Sequence, residues 1–320
     1  MWAAGAKSPW GILRPRMSAS QPTPSHRAFE PAVEAALLVM CVFWALNVIV
    51  MKLLLRGLTP AALSAGRYVL VSALAVAVVA ARRGPWTVAR RDVPRALLSG
   101  VLGVALYQVL FMEGLKRSSA FASNLIQGTE PLFALGLLRA FAGARVTARQ
   151  WGGVLLALAG AGLFFVEGLG GGGRLAFGWG DFLNVVGAFV FALYGLVSAP
   201  LFARYPGHTA MMVTMVTGAV PLALWAQADL RAMAWTELGP AVWTGLVFSS
   251  LLSLYLGLWI WNWAVTRKGL DHASLYIFVD IVLSGLFAYA LLGERFGPRR
   301  LLGAAVILTG VYLARSGEEA

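Results

Sequence analysis

Two acidic residues sit where acids are costly. Glu130 lies near the middle of an apolar run, 119–141, and Asp280 stands eighth in another, 273–292. A carboxylate at such a depth is a functional-site candidate by default. It can take up a proton or hold a substrate ammonium. The alternative is that it pairs with a buried base such as Arg67 or Lys52 and only locks helices together. If both acids face one cavity, their repulsion favours protonation of one, the condition for carrying a proton. If Asp280 instead faces water near one mouth, it stays ionised.

Polar neighbours extend both positions. Counting back from Glu130 by helical steps, Gln127, Ser123 and, less directly, Asn124 share its side. Pro131 frees a backbone carbonyl at about residue 127. Tyr276 and Ser284 lie four residues either side of Asp280, on its face. Arg67, inside the run 60–81, can pair with an acid or bind a substrate carboxylate bidentately. Lys52 is nearer a run's end and is expected to snorkel. Asn47, Tyr107, Gln108 and Asn184 add hydrogen-bonding groups within spans. Trp44, at mid-run, is a candidate cavity wall. Tyr255, Trp259, Trp261 and Trp263 form an aromatic group that could stack a planar cation. Because Arg267 and Lys268 follow at once, Trp261 and Trp263 read better as an interfacial belt. Asp271–His272 reads as a solvated helix start.

Other chemistries lack their residues. One cysteine, Cys41, excludes an intrachain disulfide, and His26, His208 and His272 are too scattered for a metal site. The glycine run Gly170 to Gly173 is not followed by Gly-Lys-Ser/Thr, so it is a linker rather than a phosphate loop. No cofactor is indicated.

The elements that position these residues are membrane spans. The chain is 59% hydrophobic and 12% charged, against about 25% charged for a soluble domain. Ten apolar runs can be drawn, at 33–55, 60–81, 96–115, 119–141, 150–168, 180–203, 210–227, 239–263, 273–292 and 300–315. Only helices or closed barrels satisfy their backbone in lipid, and the alternation of a barrel is absent. The expectation is an all-α integral membrane protein. The net charge of +12 would suggest nucleic acid in a soluble chain. Here the basic residues cluster between runs, which points to orientation in the bilayer and to no nucleic-acid partner. With the amino terminus inside, loop Lys and Arg divide sixteen inside to eight outside. That places both termini in the cytoplasm of a multi-pass protein of the inner membrane. Residues 1–32 read as a disordered cytoplasmic tail, with Met17 a second possible start, and 316–320 as a short cytoplasmic tail.

The chain also repeats itself. Shifted by 150, Arg117 falls on Arg267, Glu130 on Asp280, Gly153 on Gly303 and Gly160 on Gly310. Earlier the better shift is 147, with Glu34 on Asp181 and Trp44 to Asn47 on Phe191 to Tyr194. Two five-span halves, 33–168 and 180–315, joined by the glycine-rich linker 169–179, must enter the membrane from opposite sides. An inverted repeat of this kind supports alternating access around a midplane site. Small residues in the fifth and tenth spans, among them Gly153, Gly160 and Gly310, suit close helix packing within one chain. Homodimerisation is not indicated, and a monomer is compatible with this reading.

Trp44-Ala-Leu-Asn47 with Lys52, Pro60 and Arg67, the Glu130-Pro131 pair, and Leu292-Gly293-Glu294-Arg295 before Gly303 and Gly310 resemble the EamA-type family of the drug/metabolite transporter superfamily. The resemblance implies ten helices, cytoplasmic termini, and export or exchange of small metabolites. The chain departs from the family pattern at Ala45, Ala144 and Ile281. The expected function is secondary transport of a small organic metabolite such as an amino acid, with proton coupling as one mode. A lipid-modifying membrane enzyme and a non-transporting scaffold are the alternatives. Only the first half keeps both acid and proline, so Glu130 is expected in the central cavity and as the more sensitive acid.

Overall fold

The computed structural model describes residues 30–118, 120–143, 146–168, 178–292 and 298–316. The amino-terminal tail to residue 29, Ala144, the Gly170–Gly173 linker, the Glu294–Arg295 turn and the last four residues lie outside this set. Among the described residues every regular element is helical. The α-helices are α1 (Pro31–Leu54), α2 (Pro60–Ala81), α3 (Val93–Gly100), α4 (Tyr107–Arg117), α5 (Ala120–Gln127), α6 (Glu130–Phe141), α7 (Ala148–Gly168), α8 (Trp179–Arg204), α9 (Gly207–Trp225), α10 (Gln227–Ala232), α11 (Pro240–Val247), α12 (Gly257–Lys268), α13 (Leu270–Ser274), α14 (Tyr276–Leu292) and α15 (Pro298–Ser316). Seven continuous helical runs among them are long and apolar enough to cross a membrane. Large apolar side chains such as Leu38, Leu155, Leu224 and Tyr312 stay exposed on the outside, as a lipid-facing surface requires.

Start signals are local. Proline opens α1, α2 and α11, where its missing N–H costs nothing. Thr59 caps α2, its hydroxyl accepting from Ala62 N at 3.1 Å. Gly269, at φ +92°, ends α12 and begins α13 in a single residue, a conformation that favours glycine.

Four irregular stretches interrupt the helical runs. Val101–Leu106 and Phe248–Leu256 are π-helical. The run 119–141 is broken between Gln127 and Glu130, where Pro131 cannot donate to the Gln127 carbonyl. Thr129 bridges the gap, its N–H and hydroxyl both bonding to Ile126 O, at 2.9 and 2.7 Å. A second break at Leu275 separates α13 from α14. There the Ser274 hydroxyl donates to Leu270 O at 2.6 Å.

Lys52 does not snorkel. Its ammonium donates to Leu115 O at 2.7 Å and Ser118 O at 2.8 Å. It thereby caps the carbonyl end of α4, where a cation also opposes the helix dipole. The small residues of α7 and α15 bring those helices into backbone contact. A Cβ built on Gly310 would stand 2.6 Å from Gly153 O and 2.8 Å from Ala157 Cα. Neither neighbour is a side chain that can swing away. Gly310→Leu is therefore expected to destabilise the protein by about 1–3 kcal/mol. Thermal unfolding of the purified protein in detergent checks this; an unchanged midpoint would contradict the α7–α15 contact.

Candidate functional site

One cavity collects most of the polar residues singled out in the sequence. α1 contributes Trp44, Asn47, Val48 and Met51, one face by their spacing. α2 supplies Arg67 and Tyr68, α4 Tyr107, Gln108 and Phe111, α5 Asn124 and Gln127, and α14 Ile277 and Asp280. The free volume is about 70 Å³, room for a few water molecules rather than a metabolite.

The second π segment feeds this cavity. Its widened turn directs two carbonyls at side chains of other helices. Ser249 O accepts from Arg67 Nη2 at 3.3 Å, and Ser253 O accepts from Trp44 Nε1 at 3.0 Å. The Ser249 hydroxyl also donates to Asn47 Oδ1. π-segments recur at functional sites because they aim backbone groups this way.

Arg67 is 1% exposed. Its Nη1 reaches Met51 Sδ at 3.0 Å, a weak acceptor. No ion pair joins it to an acid among the described residues. Neither Arg67 nor Lys52, then, is the helix-locking base for Glu130. Five cavity-lining residues each keep a buried polar atom unpartnered: Arg67 Nε, Tyr68 Oη, Gln108 Nε2, Gln127 Nε2 and Asp280 Oδ1. Buried polar groups are normally satisfied, so such a cluster calls for an external partner.

Glu130 stands apart from that cavity, although Gln127 lines it. Their shared helical face is cut by the break at Gly128–Thr129, which re-aims everything after it. Glu130 is fully buried at the start of α6, and its Oε1, 3.2 Å from the Ser274 hydroxyl, shares that group's one hydrogen with Leu270 O. The two helix breaks thus meet at this carboxylate. Asn184 and Tyr276 are also elsewhere. Asn184 Nδ2 donates to Ser123 Oγ at 2.9 Å, and the Tyr276 hydroxyl donates to Glu34. Asn124 donates to Ser284 at 2.6 Å, tying α5 to α14.

Glu130 is thus not in the central cavity, and two further sequence expectations are overturned. Trp261 is no belt residue. It is completely buried, its ring 5.7 Å from Trp44 and 5.2 Å from Phe191. Trp259 and Trp263 do stack together nearer the surface, with Arg267 over the Trp263 ring. His272 is no solvated helix start either. It is buried, with Nε2 3.1 Å from Glu34 Oε1. Phe191 and Tyr68 were missed as lining residues. The signal for Phe191 was present, since the 147-residue shift lays it on Trp44.

Comparison with known proteins fits this geometry. The profile of the EamA-like transporter family matches residues 32–166 and again 178–316. The chain belongs to that family. A "Probable terminal-alkyne amino-acid exporter" of Streptantibioticus cattleyicolor is 30% identical over 280 residues, covering 87% of this chain and 91% of the relative. A "Probable amino-acid metabolite efflux pump" of Escherichia coli is 26% identical over 289 residues, covering 86% and 92%. A solved crystal structure shares the fold at a TM-score of 0.69 and 18% identity, over 89% of this chain and 97% of that one. The family and relatives are named as transporters rather than enzymes. With its apolar helices, this EamA-like protein is a multi-pass membrane protein acting on small molecules.

The Glu34 carboxylate is an acceptor shared by His272 and Tyr276, from α1 to α13 and α14. Glu34→Ala removes it and is expected to lower stability by about 1–3 kcal/mol. Glu34→Gln should recover part of the loss in the same thermal assay.

Proposed function

We propose that this EamA-like protein exports or exchanges a small amino-acid-like metabolite across the cytoplasmic membrane by alternating access. The carrying observation is the cavity in which Arg67 and Asp280 face inward beside several unpartnered polar atoms. The printed names of two relatives, an amino-acid exporter and an amino-acid metabolite efflux pump, favour the same substrate class.

The architecture proposed is ten spans in two inverted five-helix halves with both termini in the cytoplasm. Element positions support it. α2 starts at Pro60 and α9 at Gly207, 147 later; α3 starts at Val93 and α11 at Pro240, 147 later; α7 starts at Ala148 and α15 at Pro298, 150 later. The two π segments start at Val101 and Phe248, again 147 apart. Odd-numbered halves reverse their direction of entry, and the site then falls between them. The 70 Å³ cavity is too small for a metabolite, so the cycle requires it to widen.

Proton coupling is assigned to Asp280, in the cavity wall, and Glu130, behind it at the helix breaks. Both are buried acids that can change charge during the cycle. Asp280 touches the substrate path, and Glu130 acts through the helix breaks it joins. In proteoliposomes an inward-acid pH gradient should drive amino-acid flux. The double variant Glu130→Gln/Asp280→Asn should lose the gradient response while unaltered gradient-driven flux would remove the coupling claim.

A further inference from the structure

A guanidinium and a carboxyl group line the cavity without meeting. Arg67 and Asp280 are 1% and 4% exposed, and no ion pair between them or to another charge is present among the described residues. A charge left so in a poorly solvated site is strongly unfavourable. Arg67 makes do with a thioether and a backbone carbonyl, and keeps Nε unused. Asp280 keeps Oδ1 unused. The remaining unpartnered atoms at the cavity are two amide nitrogens, which donate, and the Tyr68 hydroxyl. Trp44, Phe191, Leu254, Leu258 and Ile277 give the wall an apolar part.

From these placements we infer that the cavity recognises a zwitterion by splitting its charges, Arg67 taking the carboxylate and Asp280 the ammonium. Gln108 and Gln127 donate further hydrogen bonds, and the aromatic and aliphatic wall accepts an apolar remainder. A net-neutral ligand completes two half-pairs at once. A lone carboxylate or a lone amine completes one and leaves the other charge buried and open. Sites with a polar group built for a missing substrate group discriminate strongly against the analogue that lacks it. The assignment rests on the transporter reading and narrows its substrates to small compounds with one carboxylate, one ammonium and an apolar body.

The test uses the full chain in proteoliposomes, with two probe sets. One is L-leucine, 4-methylpentanoate and 3-methylbutylamine; the other is L-phenylalanine, 3-phenylpropionate and phenethylamine. Flux and ligand-induced thermal shift are read for each. The zwitterion of at least one set should bind at least about tenfold more tightly than either single-charge analogue. Arg67→Gln should abolish the advantage of the zwitterion over the amine, and Asp280→Asn its advantage over the acid. This crosswise loss is not expected of residues that only support the fold. If a variant does not fold, Arg67→Lys or Asp280→Glu replaces it, with a selective weakening toward the matching analogue expected. Binding of neither zwitterion, or unchanged discrimination in both variants, overturns the assignment. Flux of single-charge compounds without zwitterion flux would sink it while leaving the transporter reading standing. Absence of flux for every probe and for a wider metabolite set would sink that reading itself.

Discussion

Everything in this protein depends on one constraint: inside a bilayer, each backbone N–H and C=O must find a partner within the protein. Unbroken helices meet it trivially, and most of the chain takes that route. The departures are therefore informative. At Thr129 and Ser274, side-chain hydroxyls take up carbonyls at or beside the interruption. In Phe248–Leu256, the carbonyls of Ser249 and Ser253 are taken by Arg67 and Trp44. Backbone irregularity is tolerated here because it faces other helices, and it is where the protein acquires acceptors that regular helix would have hidden.

That constraint on the backbone explains how a guanidinium can be held in a largely apolar interior. Arg67 is oriented by a carbonyl that the π segment turns toward it, without the carboxylate that would neutralise it. The orientation costs little, because the carbonyl needed a donor anyway. The charge, by contrast, is left for something else to balance. Asp280 holds a carboxyl group in the same wall, of opposite sign when ionised. In a medium of low dielectric constant, two such charges interact more strongly than in water, and each gains most from a compact partner of opposite sign. A direct Arg67–Asp280 bridge would have satisfied both and left the cavity with little to offer a polar ligand.

How much of this was legible beforehand follows the same physics. Apolar length predicts the helices, and the 147- and 150-residue shifts lay Trp44 to Asn47 on Phe191 to Tyr194 and Glu130 on Asp280. Seven of the ten candidate residues, Trp44, Asn47, Arg67, Tyr107, Gln108, Gln127 and Asp280, line this cavity; a polar or aromatic type inside an apolar run is the signal that marks most of them. Glu130 was misplaced because helical spacing was carried through a proline break that changes direction. Trp261 was misjudged because a basic pair downstream resembles a membrane boundary, whereas its burial is decided by Trp44 and Phe191 from distant helices. The Glu34–His272 contact spans 238 residues, and nothing local to either residue announces it.

The distribution of rigidity bears on how such a cavity could open. α7 and α15 meet backbone to backbone at Gly153, Gly160 and Gly310, with Val154, Ala157, Ile307 and Val311 packed beside that contact. The residues around the site are held differently: by single hydrogen bonds to a π segment, by hydroxyls at two helix breaks, and by Glu130 accepting from Ser274 across those breaks. Close-packed pairs move as bodies, whereas interrupted helices can change direction at the interruption with few backbone bonds exchanged. A cavity too small for its ligand, walled by interrupted helices, can widen through them while the glycine-packed pair stays intact. On the proposed two-half arrangement, the breaks at Gly128–Thr129 and Leu275 are then the natural hinges, and Glu130, bonded across both, is placed to register which way they are bent.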